Sequence, residues 1–254
     1  MLSVLRMDVS LYSAAAAMNA TERWQDLVAE NLSSTSLPGA RQQEISFSAV
    51  QAGLMSGAPG SANNNFVIPS AGATTNFQQG ELKATGANLD LALEGPGFFA
   101  VQMPDGSKAY TRDGEFKLNA QGQLVSKQGY PVVSDGGAMT FDPNNTAPIN
   151  ISPEGEVSQG VDIKGKISVT EFGNLQALTM SNGGFFRADS EQAQPKAGTT
   201  TSVRQGFVEA SNTSPTLAMA SLITSMRMFE TNQKVMQMQS DRMSKAITEL
   251  SGTN

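Results

Sequence analysis

The chain has 254 residues, 39% of them apolar, and a formal net charge of −6, which allows a real core and argues against wholesale disorder. Lys and Arg nowhere gather in groups of four, so the concentrated cation footprint of a nucleic-acid binder is excluded and an anionic membrane surface is disfavoured. Cys and His are both absent, which removes thiol nucleophiles, disulfides, imidazole acid–base chemistry and the usual zinc and haem ligands.

Residues 1–36 contain neither Gly nor Pro and carry a stripe at helical spacing: Val4, Met7, Leu11, Ala14, Met18, then Thr21 and Gln25, then Val28 and Leu32. A first helix is expected there. Arg6 and Asp8 interrupt the apolar start, so no cleaved signal peptide is expected, and no run approaches the ~18 apolar residues of a membrane span. Leu37-Pro38-Gly39 is expected to stop the helix, because Pro disfavours helical geometry at Leu37 and Gly39 frees the chain to turn. Residues 37–80 read as an extended linker around the small, polar, aperiodic stretch GLMSGAPGSANNN. A loop of that length is often bound to a partner, and contact with a neighbouring subunit is expected around 53–75.

Residues 81–205 read as an all-β meander. Turn signals recur at Asp105-Gly106, Asp113-Gly114, Gln121-Gly122 and Gly129, with the glycines 8, 8 and 7 residues apart. Val161, Ile163, Ile167 and Val169 alternate with polar residues, as in one half-buried strand. Gly95-Pro96-Gly97 is followed by the strand-like Phe98-Phe99-Ala100-Val101, which fits a tight turn and not a phosphate loop, since the latter needs a following helix. The pairs Asp113/Glu115 and Glu154/Glu156 are the only carboxylate arrangements suggestive of glycoside cleavage, and both sit at turns where solvated carboxylates are ordinary. Asp90 and Arg112 are flanked by apolar strand residues and are each expected to fix a turn through a hydrogen bond or ion pair.

Residues 206–254 hold the clearest helix. Ser214 can cap it, Pro215 suits its first position, and Gly252 would end it, giving a length of ~55 Å. Alternating steps of three and four pick out Met219, Leu222, Met226, Phe229, Gln233, Met236, Ser240, Met243, Ile247 and Leu250, the repeat of a coiled-coil seam. Leu217, Ile223, Met228, Val235 and Met238 lie off that seam, so the helix is apolar on more than one side. The expected fold class is α+β: long N- and C-terminal helices paired as a coiled coil, with a central all-β domain of short antiparallel strands. The expected divisions are a helix over 1–36, a linker over 37–80, a β domain over 81–205 and a second helix within 206–254.

Three segments resemble the flagellar rod and hook proteins: AENLSSTSLPG (29–39), LDLALEGPGFFAVQMPDGSKAYTRDGEFKLNAQGQLV (89–125) and GFVEASNTSPTLAMASLITSMRMFETNQKVM (206–236). They stand in the family's order and are jointly specific. The chain departs from the pattern at Ser33, where Asn is usual, and at Ala40, where an aromatic is usual. The length resembles a rod subunit more than the longer hook protein, and the Asn19 to Gly39 region and the Gly184-Phe185-Phe186-Arg187 stretch resemble the proximal rod type more than the distal. The resemblance implies a self-assembling structural subunit of the basal-body rod, not an enzyme, with no cofactor and no metal. Implied partners are copies of itself, other flagellar rod proteins and the flagellar export apparatus, with no nucleic acid, no small-molecule substrate and no membrane span. The implied location is the periplasmic rod, reached by export without a cleaved leader. A distal rod subunit is the alternative within the family. Outside it stand a secreted β-domain binding module with helical oligomerisation ends and a β-domain hydrolase.

On this reading Leu222, Met226, Phe229, Met236, Met243, Ile247 and Leu250, facing Leu11, Met18 and Leu32, form an intrachain and intersubunit helical seam. Asn31, Pro38 and Gly39 shape the way out of the first helix. Gly206, Glu209, Ser211 and Asn212 shape the way into the second, with Asn212 or Ser211 holding the turn by side-chain-to-backbone hydrogen bonds.

Overall fold

The computed structural model describes residues 2–54, 65–142, 145, 147–181 and 183–251. Two helices, α1 (Leu2–Ser34) and α2 (Pro215–Ser251), bracket a β-rich middle. The chain divides into two compact units, one of Met1–Leu32, Gln43–Thr74 and Pro215–Asn254, the other of Ser33–Gln42 and Thr75–Ser214. Among the described residues no helix is long and apolar enough to cross a membrane.

In the first unit the helices pack, but not as the expected coiled coil. Such a seam needs large apolar side chains covered at both alternating positions. Here Leu222, Phe229, Met236 and Met243 are half-buried, whereas Met226 and Ile247 are 50% and 61% exposed. The covered line runs instead through Ala218, Ser225, Asn232 and Gln239 between those four. Ser225 is wholly buried and its hydroxyl donates back to the Leu222 carbonyl, while Asn232 Nδ2 reaches Thr21 Oγ1 (3.4 Å) and the Ala17 carbonyl (3.5 Å) of α1. Small and polar residues thus occupy the line that α2 buries, with the half-buried Leu222, Phe229, Met236 and Met243 between them.

The stretch read as linker contains two long strands, Gln43–Leu54 and Asn65–Thr75, paired as a two-stranded sheet in the first unit. Residues 55–64, the heart of the predicted loop, lie outside the described residues, as does Gly252. Phe47 meets Trp24 of α1 edge to face at 5.7 Å, and Arg23 donates to the Ala71 carbonyl (3.3 Å).

The second unit is built on a six-stranded antiparallel sheet in the spatial order Thr179–Ser181, Phe185–Arg187, Lys108–Thr111, Phe98–Gln102, Val169–Phe172, Pro195–Ala197. That order is not a meander, because turn spacing identifies hairpins while two-sided burial decides the remaining neighbours. The Phe98-Phe99-Ala100-Val101 run is buried on both faces. Phe98 and Ala100 join Tyr110, Leu178 and Phe186 on one side, and Phe99 and Val101 join Leu91, Leu93, Phe116, Leu124 and Val157 on the other. The 161–169 stretch is likewise not one half-buried strand: Asp162–Lys166 and Val169–Phe172 belong to different sheets, with Ile167 buried between them.

Candidate functional site

The residues predicted to shape the ends of the two helices converge within the second unit. Gly39 adopts φ +68°, and its N–H donates to the Glu209 carbonyl (2.7 Å). Asn212 N–H donates to the Ala40 carbonyl (3.3 Å), while its side chain accepts from Gln42 N–H (2.7 Å) and donates to the Asn76 and Gln78 carbonyls (both 2.9 Å). Ser211 Oγ accepts from Thr213 N–H (3.2 Å). Both residues thus satisfy backbone groups that a turn leaves without partners, Asn212 across the two segments and Ser211 locally. Gly206, at φ +79°, accepts from Thr85 and Gly86 and turns the chain from the Ser202–Gln205 strand into Phe207–Glu209.

Glu209 is the centre of this junction and is fully buried. Its Oε1 accepts from Arg41 Nη1 (2.6 Å) and Gly80 N–H (2.8 Å), and its Oε2 from Arg112 Nη1 (3.1 Å). Arg112 also donates to the Gly95 carbonyl (2.6 Å) and lies 4.8 Å above the Phe98 ring. Two guanidiniums therefore share one carboxylate in the interior. Burial and the nearby Arg41 push Arg112 down to about 10 while Glu209 pulls it back, so it stays charged at neutral pH. Arg41 Nε and Nη2 and Arg112 Nε are buried without an acceptor, a cost that the rest of the junction must offset.

In the first unit Asn31 grips the start of the Gln43–Leu54 strand. Its amide donates to the Gln43 carbonyl (2.7 Å) and accepts from the Gln43 N–H (2.8 Å), imitating a strand neighbour. Met18, Leu32 and, in the second unit, Pro38 are half-buried. Leu11 and Leu250 lie in the two helices, but their side chains fall outside the described residues.

Sequence reasoning placed Arg112 in a fixing interaction but did not find its partner, and it missed Arg41, Gly80 and Asn76. The one available signal was Arg112 standing between a β-suited run and the Asp113-Gly114 turn. The carboxylate pairs only partly sit at turns, since Glu156 opens the Glu156–Gln159 strand and Glu115 bridges Asp90. Glu154 is exposed, and Asp113 accepts from Glu115 N–H (3.0 Å) in the loop whose backbone Gly39 abuts.

Burial pushes the Asp113 carboxyl from 3.8 up to about 6; Glu115 and Asp90 add to the rise, and the Glu115 N–H bond and Lys127 oppose it. The folded state therefore holds this proton more tightly than the unfolded chain. It is penalised by about 2–3 kcal/mol above pH 6, and the penalty disappears as the pH falls toward 4. Asp113→Asn keeps the acceptor and removes the charge. Urea unfolding is expected to show the variant more stable at pH 7.5, level with the parent near pH 4, and with a flatter slope between.

Two family models match the chain: the flagellar hook protein FlgE/F/G D1 domain over residues 92–177, and the flagellar basal body rod FlgEFG protein C-terminal over 204–249. The chain is 32% identical over 249 residues to the flagellar basal-body rod protein FlgF of Caulobacter vibrioides, covering 98% of this chain and 100% of that protein. It is 31% identical over 256 residues to FlgG of Borreliella burgdorferi (90% and 93% covered) and 30% identical over 242 residues to FlgF of Salmonella typhimurium (90% and 93%).

Proposed function

This chain belongs to the flagellar basal-body rod protein family, and from that premise we propose that it is a structural subunit of the rod, built in through its terminal helices and held in shape by the Glu209 junction. It works alongside other rod proteins in the basal body. The observation that carries the assembly role is the surface of α2. At 100° per residue, Met219, Ile223 and Met226 fall roughly 90–150° to one side of the covered line, and Leu217, Met228 and Val235 roughly 70–90° to the other. All six are exposed. A helix apolar on both shoulders needs a cover on both, and one neighbour on each side is the head-to-tail arrangement that extends into an open helical assembly. The Gln43–Leu54/Asn65–Thr75 ribbon is a second contact in this reading, since a two-stranded ribbon alone is marginal in water.

Met226→Asp and Met228→Asp test the two shoulders separately. Because both side chains are exposed in the single chain, each variant is expected to unfold at the parent's urea midpoint. Each is nevertheless expected to enter isolated rods at least tenfold less, because a charge would be buried on assembly. Normal incorporation of both would overturn the role given to α2.

A further inference from the structure

The chain holds 13 methionines and no cysteine, so the thioether is its only form of sulfur and the group that a peroxide attacks most readily. Among the described side chains, every methionine at least half exposed is on α2: Met219 (54%), Met226 (50%), Met228 (51%) and Met238 (58%). The others are half-buried or buried, with Met139 at 3% in the core of the second unit. Helix formation does not call for methionine at these places, since leucine serves a helix equally well. Methionine is the adaptable choice for a surface that meets unlike neighbours, and an oxidisable sulfur comes with it.

Met219 and Met226 lie on one shoulder of α2 and Met228 on the other, the surfaces given above to neighbouring subunits. Their sulfurs are open to solvent in the free chain and would be covered in the assembly. Hydrogen peroxide transfers one oxygen atom to a thioether: the O–O bond breaks, an S–O bond forms, sulfur gives up two electrons, and water leaves. The resulting sulfoxide is strongly polar and accepts hydrogen bonds. Ile223 on the first shoulder, and Leu217 and Val235 on the second, have no side-chain donor to satisfy it. Burying it there is unfavourable, whereas in the free chain water solvates it and the fold loses little.

We propose that Met219, Met226, Met228 and Met238 form a redox-sensitive modification site: peroxide oxidation of the free chain bars it from the rod, and incorporation shields the same sulfurs. This rests on the rod reading above and adds a control on the same surface. Reduction by thiols restores the thioether, with the oxygen leaving as water and two thiols becoming one disulfide. The block is therefore reversible and acts before assembly, not after it.

Two forms of the chain competing in one cell provide the test, because damage to other rod proteins then affects both alike. Cells lacking methionine sulfoxide reductases make the parent together with a variant carrying Met219→Leu, Met226→Leu, Met228→Leu and Met238→Leu. Rods are isolated with and without hydrogen peroxide added during growth. Whatever the ratio of the two chains in untreated rods, peroxide is expected to shift it roughly tenfold toward the leucine form. Peptide mass mapping is expected to find sulfoxide at the four positions in unassembled parent chain, thioether there in rods, and Met139 unoxidised in both. A ratio that peroxide does not move, while the unassembled chain carries the sulfoxides, would overturn the proposal and leave the rod reading standing. So would oxidation of Met139 in step with the four. Met226→Gln with Met228→Gln supplies comparable polarity without an oxidant; it is expected to lower incorporation at an unchanged urea midpoint, and undiminished incorporation counts against the proposal. Finished rods whose α2 sulfurs oxidise as fast as those of the free chain would overturn the role given to α2 and the proposal with it. An unmodified chain that never enters rods would overturn both readings.

Discussion

Glu209→Gln is expected to cost the β-rich unit about 3–5 kcal/mol, the effect of stranding a buried charge by removing its partner. The carboxylate neutralises Arg41 and Arg112 at once, at 2.6 and 3.1 Å, and all three side chains are almost wholly out of water. Glutamine is nearly the same size, so the loss is electrostatic and not a cavity effect. It leaves two guanidiniums facing one amide that offers a single acceptor oxygen. The arginines are not equivalent in this argument. Arg41→Met removes one cation from a cluster that holds one more positive charge than negative. It also removes two buried donors that have no acceptor. That variant is expected to lose clearly less than Glu209→Gln, about 1–2 kcal/mol. Urea unfolding read by circular dichroism measures both, and with m near 1–3 kcal/mol per M the Glu209 variant should shift by 1 M or more. Equal losses for the two variants would mean that the cluster acts through packing and not through charge.

Local chemistry was legible in the sequence and distant pairing was not. The break after α1 and the start of α2 at Pro215 follow from Pro and Gly positions, whose effect is confined to their own backbone. The alternation at Val161 and Ile163 is a local signal too, but alternation marks a strand without saying that either face is covered. The helical seam failed for a related reason. The 3.5-residue repeat of apolar residues on α2 is real, yet the line its own chain covers is displaced by one residue at every second position, through Ala218, Ser225, Asn232 and Gln239. Hydrophobicity points to every surface that has to be covered. It does not separate the one covered within the chain from those left outside. Of the two strands flanking residues 55–64, the first carries a short alternation, Ile45, Phe47 and Ala49 between Ser46 and Ser48, that the small, polar stretch beyond it outweighed. Glu209 joins residues 168 and 97 positions away, a separation that no local pattern reports. Gly39, Gly206, Ser211 and Asn212 could be named from the sequence because turns and side-chain-to-backbone bonds declare themselves by residue type.

Gly39→Ala is expected to cost the junction about 2–5 kcal/mol. Two costs add. The φ of +68° is natural for Gly and costs an L side chain about 1–2 kcal/mol. The added Cβ would also stand 2.3 Å from the Arg112 carbonyl carbon and 2.5 Å from Asp113 N, both backbone atoms. A backbone contact that close cannot be relieved by a rotamer change, so one of the two segments must move, at a further ~1–3 kcal/mol. The movement strikes the centre of the junction, because Gly39 N–H binds the Glu209 carbonyl and Arg112 binds the Glu209 carboxylate. Gly86→Ala provides the control, since Gly86 has a similar φ (+71°) with open space around its would-be Cβ. It should lose only the conformational share. A difference of about 2 kcal/mol between the two variants in urea unfolding would isolate the close approach from the strain. In cells, Gly39→Ala is expected to reduce rod incorporation and motility together while Gly86→Ala leaves both near normal. If the two glycines behaved alike, Gly39 would be a hinge and not a contact.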